Sequence, residues 1–141
     1  MIDIENMVLD RVSKGLEERF LAANVTSAFV EEEAIFPCVT VRQKNCVPLR
    51  RTNTVESAEN YATVTFEITF YSDKRDRSQS ESRKLMGLTD EIMQEIGFRR
   101  IHTSEAFNIS RTLTRRYTRY EAIIRSPIEK DGDTIYEVYR R

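Results

Sequence analysis

Tyr61-Ala62-Thr63-Val64-Thr65-Phe66-Glu67-Ile68-Thr69-Phe70-Tyr71 is the stretch that decides the fold. Ala62, Val64, Phe66, Ile68 and Phe70 alternate with Thr63, Thr65, Glu67 and Thr69, a period of two along the whole run. Successive side chains of a β-strand point to opposite faces, so the stretch predicts a strand with one buried apolar face and one polar face. Such a strand needs neighbours on its edges and a layer over its apolar face.

Two amphipathic segments supply the layer. Over residues 4–20, Ile4, Val8, Val12, Leu16 and Phe20 recur every four positions with Leu9 beside them, and Asp10, Lys14, Glu17 and Glu18 fall opposite. That spacing predicts a helix with one core-facing stripe. Asp3 suits its N-cap, and Asn24 the turn that follows. Beyond the strand, Asp73-Lys74-Arg75-Asp76-Arg77 reads as a charged turn. Ser78-Gln79-Ser80-Glu81 is a capping box. It opens a helix whose Leu85, Leu88, Thr89, Ile92, Met93 and Ile96 share one face, and Gly97 ends it as the C′ residue.

The remaining strands flank these elements. Residues 25–30 suit a strand by composition, Glu31-Glu32-Glu33 an exposed turn, and residues 38–42 a second strand with Pro37 at its start. Residues 43–60 carry no period and read as a long polar loop. Residues 98–102 begin another strand, 113–124 form a long one, and Asp131-Gly132 is a hairpin turn leading into 134–138. The order is α-β-β-β-α-β-β plus a C-terminal hairpin extension at about 125–141. It predicts one α+β domain over residues 1–141: a single antiparallel or mixed sheet of about four to five strands, with both helices packed on one face.

Composition bounds the function. A chain of 141 residues is one domain's worth and buries a core without staples. Its formal charge of −1 argues against a protein that coats nucleic acid or anionic membrane. A 40% hydrophobic content is too high for a disordered chain. No apolar run approaches the ~18 residues of a membrane span. Met1-Ile2-Asp3-Ile4-Glu5 lacks a basic region ahead of an apolar one, so no secretory signal is expected. Cys38 and Cys46 are therefore expected as reduced thiols, and the sequons at Asn24 and Asn108 as unused.

The inventory for catalysis is thin. His102 is the single histidine, which excludes a two-histidine metal site. Cys38 as a nucleophile would need His102 beside it. The consecutive Glu31, Glu32 and Glu33 diverge, whereas a hard cation needs converging oxygens. Glycines at 15, 87, 97 and 132 build no phosphate-cradling loop. The expectation is a non-enzyme with no cofactor, metal or small-molecule substrate, and no membrane partner.

Residues 111–125 are different. Arg111, Arg115, Arg116, Arg119 and Arg125 stand against Glu121 alone, with Tyr117 and Tyr120 interleaved. Arginine beside tyrosine on a strand suits a nucleic-acid platform. It equally suits a protein interface. It also suits a solvated face balanced by acidic residues of neighbouring strands. Arg50-Arg51 in the long loop and the threonine face of residues 61–71 raise the same question. The candidate interface residues are Arg50, Arg51, Arg115, Tyr117 and Arg119.

Phe36-Pro37-Cys38-Val39-Thr40-Val41 resembles the "FP-x-V-x-V" strand of tail terminator or tail completion proteins of long-tailed bacteriophages, also described as head–tail joining or minor capsid proteins. Glu59-Asn60-Tyr61 through Phe70-Tyr71-Ser72, Leu85-Met86 through Ile96-Gly97-Phe98, and Arg116-Tyr117-Thr118-Arg119-Tyr120-Glu121-Ala122 follow in the same order. The ending Asp131-Gly132-Asp133-Thr134-Ile135-Tyr136 is similar to that family's closing hairpin, and the resemblance spans residues 4–138. It implies one sheet with two helices and a structural role in the virion, with assembly in the host cytoplasm. It implies a homohexameric ring on the head-proximal end of the tail tube. The ring ends tail polymerisation and docks the head connector, while DNA passes through it unread. The partners implied are further copies of the chain, the tail tube protein and the connector or head-completion protein. The resemblance brings no catalytic residues. The alternatives are a head-completion or connector protein of the same virion region, and a small α+β nucleic-acid module using the strand from Arg111 to Arg125.

Overall fold

The computed structural model describes residues 3–19, 24–26, 37–48, 61–72, 78–104, 107–108, 114–130 and 133–139. The alternating stretch is β3 (Tyr61–Ser72), and Ala62, Val64, Phe66, Ile68 and Phe70 on one of its faces are completely buried. β3 pairs antiparallel with β2 (Cys38–Pro48) on one side and with β6 (Thr114–Lys130) on the other. β1 (Asn24–Thr26) runs parallel to the start of β2, which makes the sheet mixed. β4 (Arg99–Thr103), β5 (Phe107–Asn108) and β7 (Asp133–Tyr139) all pair antiparallel with β6. The sheet of the described residues has seven strands, in the order β1-β2-β3-β6-β4 with β5 and β7 also on β6.

Both helices cover one face. α1 (Glu5–Arg19) buries Val8, Val12, Gly15 and Leu16, and α2 (Ser78–Ile96) buries Leu85, Ile92, Met93 and Ile96. These residues join Val39 and Val41 of β2 and Tyr120 and Ile124 of β6 in one continuous core. Phe66 and Phe98 meet edge to face there, ring centroids 5.4 Å apart. The helices also touch each other closely: a Cβ added at Gly15 would sit 2.5 Å from Ile92 Cδ1, so a hydrogen is all that fits.

The helix ends follow their sequence signals. Asp3 Oδ1 accepts the Glu5 backbone N–H at 3.1 Å, capping α1. Gly97 has φ 106°, and the N–H groups of Phe98 and Gly97 bond back to the carbonyls of Met93 and Gln94, a Schellman closure that only glycine adopts without strain. Phe98 is thereby delivered into the core one residue before β4. Of the capping box, Glu81 is buried and accepts the Ser72 hydroxyl at 2.8 Å.

Several expectations need correction. β2 does not end at residue 42. It continues to Pro48, so the first third of the expected loop 43–60 is strand, and residues 49–60 lie outside those described. A bulge between Gln43 and Asn45 shifts the register and hides the alternation. The strand expected over 25–30 is β1, Asn24–Thr26; residues 27–30, with Phe20, Glu31–Glu33 and Phe36, fall outside the described set. The sheet is mixed with both helices on one face, as expected; its seven strands are the five of the expected order, β7 of the closing hairpin and the two-residue β5. The C-terminal ribbon is continuous with the sheet: β6 runs unbroken from Thr114 through residue 125 to Lys130.

This continuity gives the sheet a projection. β3 accompanies β6 only as far as the pair Tyr61–Arg125. Past a register shift between Arg125 and Ile128, β6 pairs with β7 alone among the described residues. Pro127 sits in that shift, where the missing N–H interrupts no ladder. The Asp131-Gly132 turn lies outside the described residues, flanked by the pair Lys130–Asp133. The other long edge is blunted: the Gln43 N–H reaches Glu5 Oε2 at 3.5 Å, the Cys46 N–H is held by Asn45 Oδ1 at 2.9 Å, and Pro48 ends the strand.

Phe66→Asp is expected to unfold the domain. It sets an uncompensated charge at the centre of the core, at a cost of about 3–5 kcal/mol or more, a large part of a small domain's stability. Far-UV circular dichroism checks this; a soluble, cooperatively melting Phe66→Asp protein would contradict the buried register of β3.

Candidate functional site

Strand pairing sorts the basic run onto two faces. Phe70, Ile68 and Phe66 face the helices, and their β6 partners Arg116, Thr118 and Tyr120 face the same way. Arg115, Tyr117, Arg119, Glu121 and Arg125 therefore project from the opposite face, beside Tyr71, Thr69, Glu67, Thr65 and Tyr61 of β3. Among the described residues no helix covers that face.

The structure thus brings Arg115, Tyr117 and Arg119 together on one face of β6, with Arg119 exposed and the other two half-buried. Arg50 and Arg51 lie outside the described residues; Pro48 and Tyr61, which flank their segment, stand at the end of the sheet where the β6–β7 ribbon leaves it. Arg111 is also outside.

Three arginines of the outer face are paired with glutamates. Arg119 Nε donates to Glu67 Oε2 across the strands at 3.1 Å, and its guanidinium lies 5.4 Å from the centre of the Tyr117 ring. Tyr117 in turn packs against His102 of β4, ring centroids 5.6 Å apart. Arg99 of β4 is hydrogen-bonded to Glu121, and Arg125 approaches Glu137 of β7 at 3.5 Å. Three of the exposed arginines are therefore matched by glutamates of neighbouring strands. Exposed pairs of this kind contribute only about 0–1 kcal/mol each. Their effect is to fix side chains and offset three of the positive charges of a face that also carries Arg42 and Arg115.

The inner face of β6 carries the polar groups that sequence reasoning missed. Tyr120 is completely buried and donates its hydroxyl to Asp90 Oδ1 at 3.0 Å. Asp90 also accepts Gln94 Nε2 at 2.9 Å and lies 3.6 Å from Arg100 Nη1. Burial, and then the Asp90 carboxylate, push the Tyr120 phenol well above the ordinary tyrosine value. Arg116 is buried to 9% exposure, and its Nε has no partner. Burial, and then the nearby Arg83 charge, lower its proton affinity. No sequence signal distinguishes Arg116 from Arg115 before the pairing with Phe70 is known.

The thiols and the imidazole do not meet. Cys38 is buried at the start of β2, where desolvation raises its thiol, while His102 is exposed on β4. With β3 and β6 between them, the two strands are ~14 Å apart at the usual spacing. Cys46 borders a cleft of about 310 Å³ between the start of α1 and the β2 bulge, lined by Asp3, Glu5, Gln43, Lys44 and Asn45. Across it the Ile4 N–H bonds to Gln43 Oε1 at 3.0 Å. Among the described residues no group of three or more His, Cys, Asp and Glu side chains could hold a metal ion, and no helix is long and apolar enough to cross a membrane. No protein-family model matches the chain, and no curated protein is significantly similar to it.

The Tyr120–Asp90 contact predicts an alkaline signature. The phenol stays protonated in the folded chain at a pH where the unfolded chain ionises. Stability from this group is therefore complete below the ordinary tyrosine pKa near 10 and declines as pH rises above it. Tyr120→Phe is expected to cost about 1–2 kcal/mol at neutral pH and to flatten part of the decline above about pH 10. Urea unfolding of both proteins from pH 7 to 11 measures the difference; parallel curves would remove the assignment.

Proposed function

We propose that the protein is a structural assembly component of a long-tailed phage or tail-like particle, a tail terminator whose copies close into a ring on the head-proximal end of the tail tube. The observation that carries this reading is the element order. The sequence of α1, three strands, α2, further strands and a closing ribbon is the arrangement implied by the resemblance through Phe36–Val41, Tyr61–Ser72 and Arg116–Ala122.

The shape of the molecule is compatible with the role. Ring subunits join through heterologous contacts, each using two different surfaces. A sheet with one face left open by its helices and a ribbon extending beyond its last three-stranded row offers two different surfaces. A near-neutral chain also stacks into a ring without strong self-repulsion. The ring would end tube growth and present a docking surface to the head connector. DNA would pass through it without sequence readout, in keeping with the pairing of Arg99, Arg119 and Arg125 to glutamates. That pairing counts against the nucleic-acid module, which needs cations available to phosphates. A head-completion protein shares the support for the virion role and is separated from a terminator by which purified structure, tail tube or connector, the chain binds.

Light scattering with negative-stain imaging tests the proposal. A six-fold ring of six 16.5 kDa chains, alone or on added tail tubes, is the expected result. A chain that stays monomeric in the presence of both tubes and connectors would refute it. Arg115→Glu combined with Arg119→Glu provides a second test. Arg119→Glu opposes Glu67, so the fold should lose only about 1 kcal/mol. Ring formation should fail while the circular dichroism spectrum is retained; normal rings would exclude this strand from the interface.

A further inference from the structure

We propose that the open face of the sheet docks the helix layer of a second copy of the chain, its exposed arginines meeting the glutamates at the C-terminal end of α2. The proposal names the contact behind the ring reading and rests on that reading. On the sheet face it uses the rows that cross β3 at Glu67 and Thr65. Arg42 and Arg119 flank Glu67, and Glu121 and Arg99 continue the next row. The ion pairs of these rows are layered. The Arg99 side chain is 73% exposed over a Glu121 that is 30% exposed, and Arg119 is 46% exposed over a Glu67 that is 15% exposed. The carboxylates are sunk and the guanidiniums face outward. Farther along, Arg125 and Glu137 are about equally exposed.

The helix layer is arranged the other way round. Gly15 packs against Ile92 and Arg19 bonds to Glu95 at 2.9 Å, so the C-terminal parts of α1 and α2 lie side by side. In that pair the carboxylate faces out, Glu95 at 56% exposure against 29% for Arg19. Glu91, one turn earlier on the same side of α2, is exposed as well, and so are Glu17 and Glu18 in the last turn of α1. The exposed Arg83 and Lys84 sit at the other end of α2, whose last turn has no basic residue. The glutamates therefore add to the partial negative charge of the helix end. Within one copy that is unfavourable, and cations brought by another molecule relieve it. An acidic polymer would match the sheet face and leave these glutamates unmatched. A second copy satisfies both surfaces at once, in keeping with a chain whose formal charge is only −1. The two surfaces lie on opposite sides of the sheet, so the contact is heterologous, the kind from which rings are built.

The test is light scattering of the full chain, alone and with tail tubes, using two charge-reversed variants. One carries Arg99→Glu and Arg119→Glu on the sheet face, and the other Glu91→Lys and Glu95→Lys on α2. All four positions are exposed, so both variants should keep the circular dichroism spectrum of the wild type. Each alone is expected to stay monomeric where the wild type assembles. An equimolar mixture should regain the wild-type mass, because each reversed surface then meets its complement on the other variant. A neutral face, Arg99→Gln with Arg119→Gln, should also lose assembly, and it carries the test if the reversed face unfolds beside Glu67 and Glu121. Assembly of either reversed variant alone, or a mixture that stays monomeric, would overturn the proposal and leave the ring reading standing. A wild type that stays monomeric with and without tubes would remove both. Tube binding that the Arg99 and Arg119 changes abolish, with no association between copies, would give the face to another protein and likewise overturn the proposal.

Discussion

The antiparallel pairing of β3 with β6 is the constraint on which the rest of the structure depends. Twelve residues of β3 lie in unbroken register against β6, from Tyr61–Arg125 to Ser72–Thr114. Because side chains alternate, this one register assigns every residue of both strands to a face. The burial of Phe66, Ile68 and Phe70 obliges Tyr120, Thr118 and Arg116 to turn inward, whatever their own polarity. A slip of β6 by one residue against β3 would put Arg119 and Glu121 into the core, so the apolar stripe of β3 fixes the position of its polar neighbour. The helices then lie where the apolar stripe is, and the open face where it is not.

The polar groups drawn inward by that register are handled in two ways. Tyr120 reaches Asp90, which Gln94 and Arg100 also contact, so the hydroxyl enters a small network at the edge of α2. Arg116 is turned inward with its Nε unpartnered. The outer face follows a different logic. Arg119, Arg99 and Arg125 stand opposite glutamates of β3, β6 and β7, and the Tyr117 ring is flanked by Arg119 and His102. One strand therefore carries arginines in different settings, Arg119 and Arg125 paired with glutamates outside and Arg116 turned inward.

How much of this was legible from the residues depends on how well a local pattern survives long-range pairing. The β3 alternation, the two helical stripes and the Gly97 closure are local, and each appears where the sequence indicates. The second half of β2 escaped because the bulge at Lys44 reverses the parity of inward and outward positions midway along the strand. The faces of β6 escaped because Arg, Thr and Tyr occupy both of them. Only pairing with a segment some fifty residues earlier distinguishes Arg116 from Arg119, and the Arg119–Glu67 contact spans 52 positions. Arg115, Tyr117 and Arg119 were legible as a cluster for the simple reason that residues two apart on a strand share a face.

The unbroken course of β6 also has a mechanical consequence. Its 17 residues extend ~56 Å, from the β5 margin of the sheet to the tip of the ribbon. A load applied to the ribbon tip along the strand axis enters β6 lengthwise. It meets the hydrogen bonds to β3 and β4 side by side, in shear, so that many must yield together. A load applied sideways peels the ribbon one pair at a time and stops at Arg125, where the third strand begins. The same element is thus stiff along its length and compliant across it.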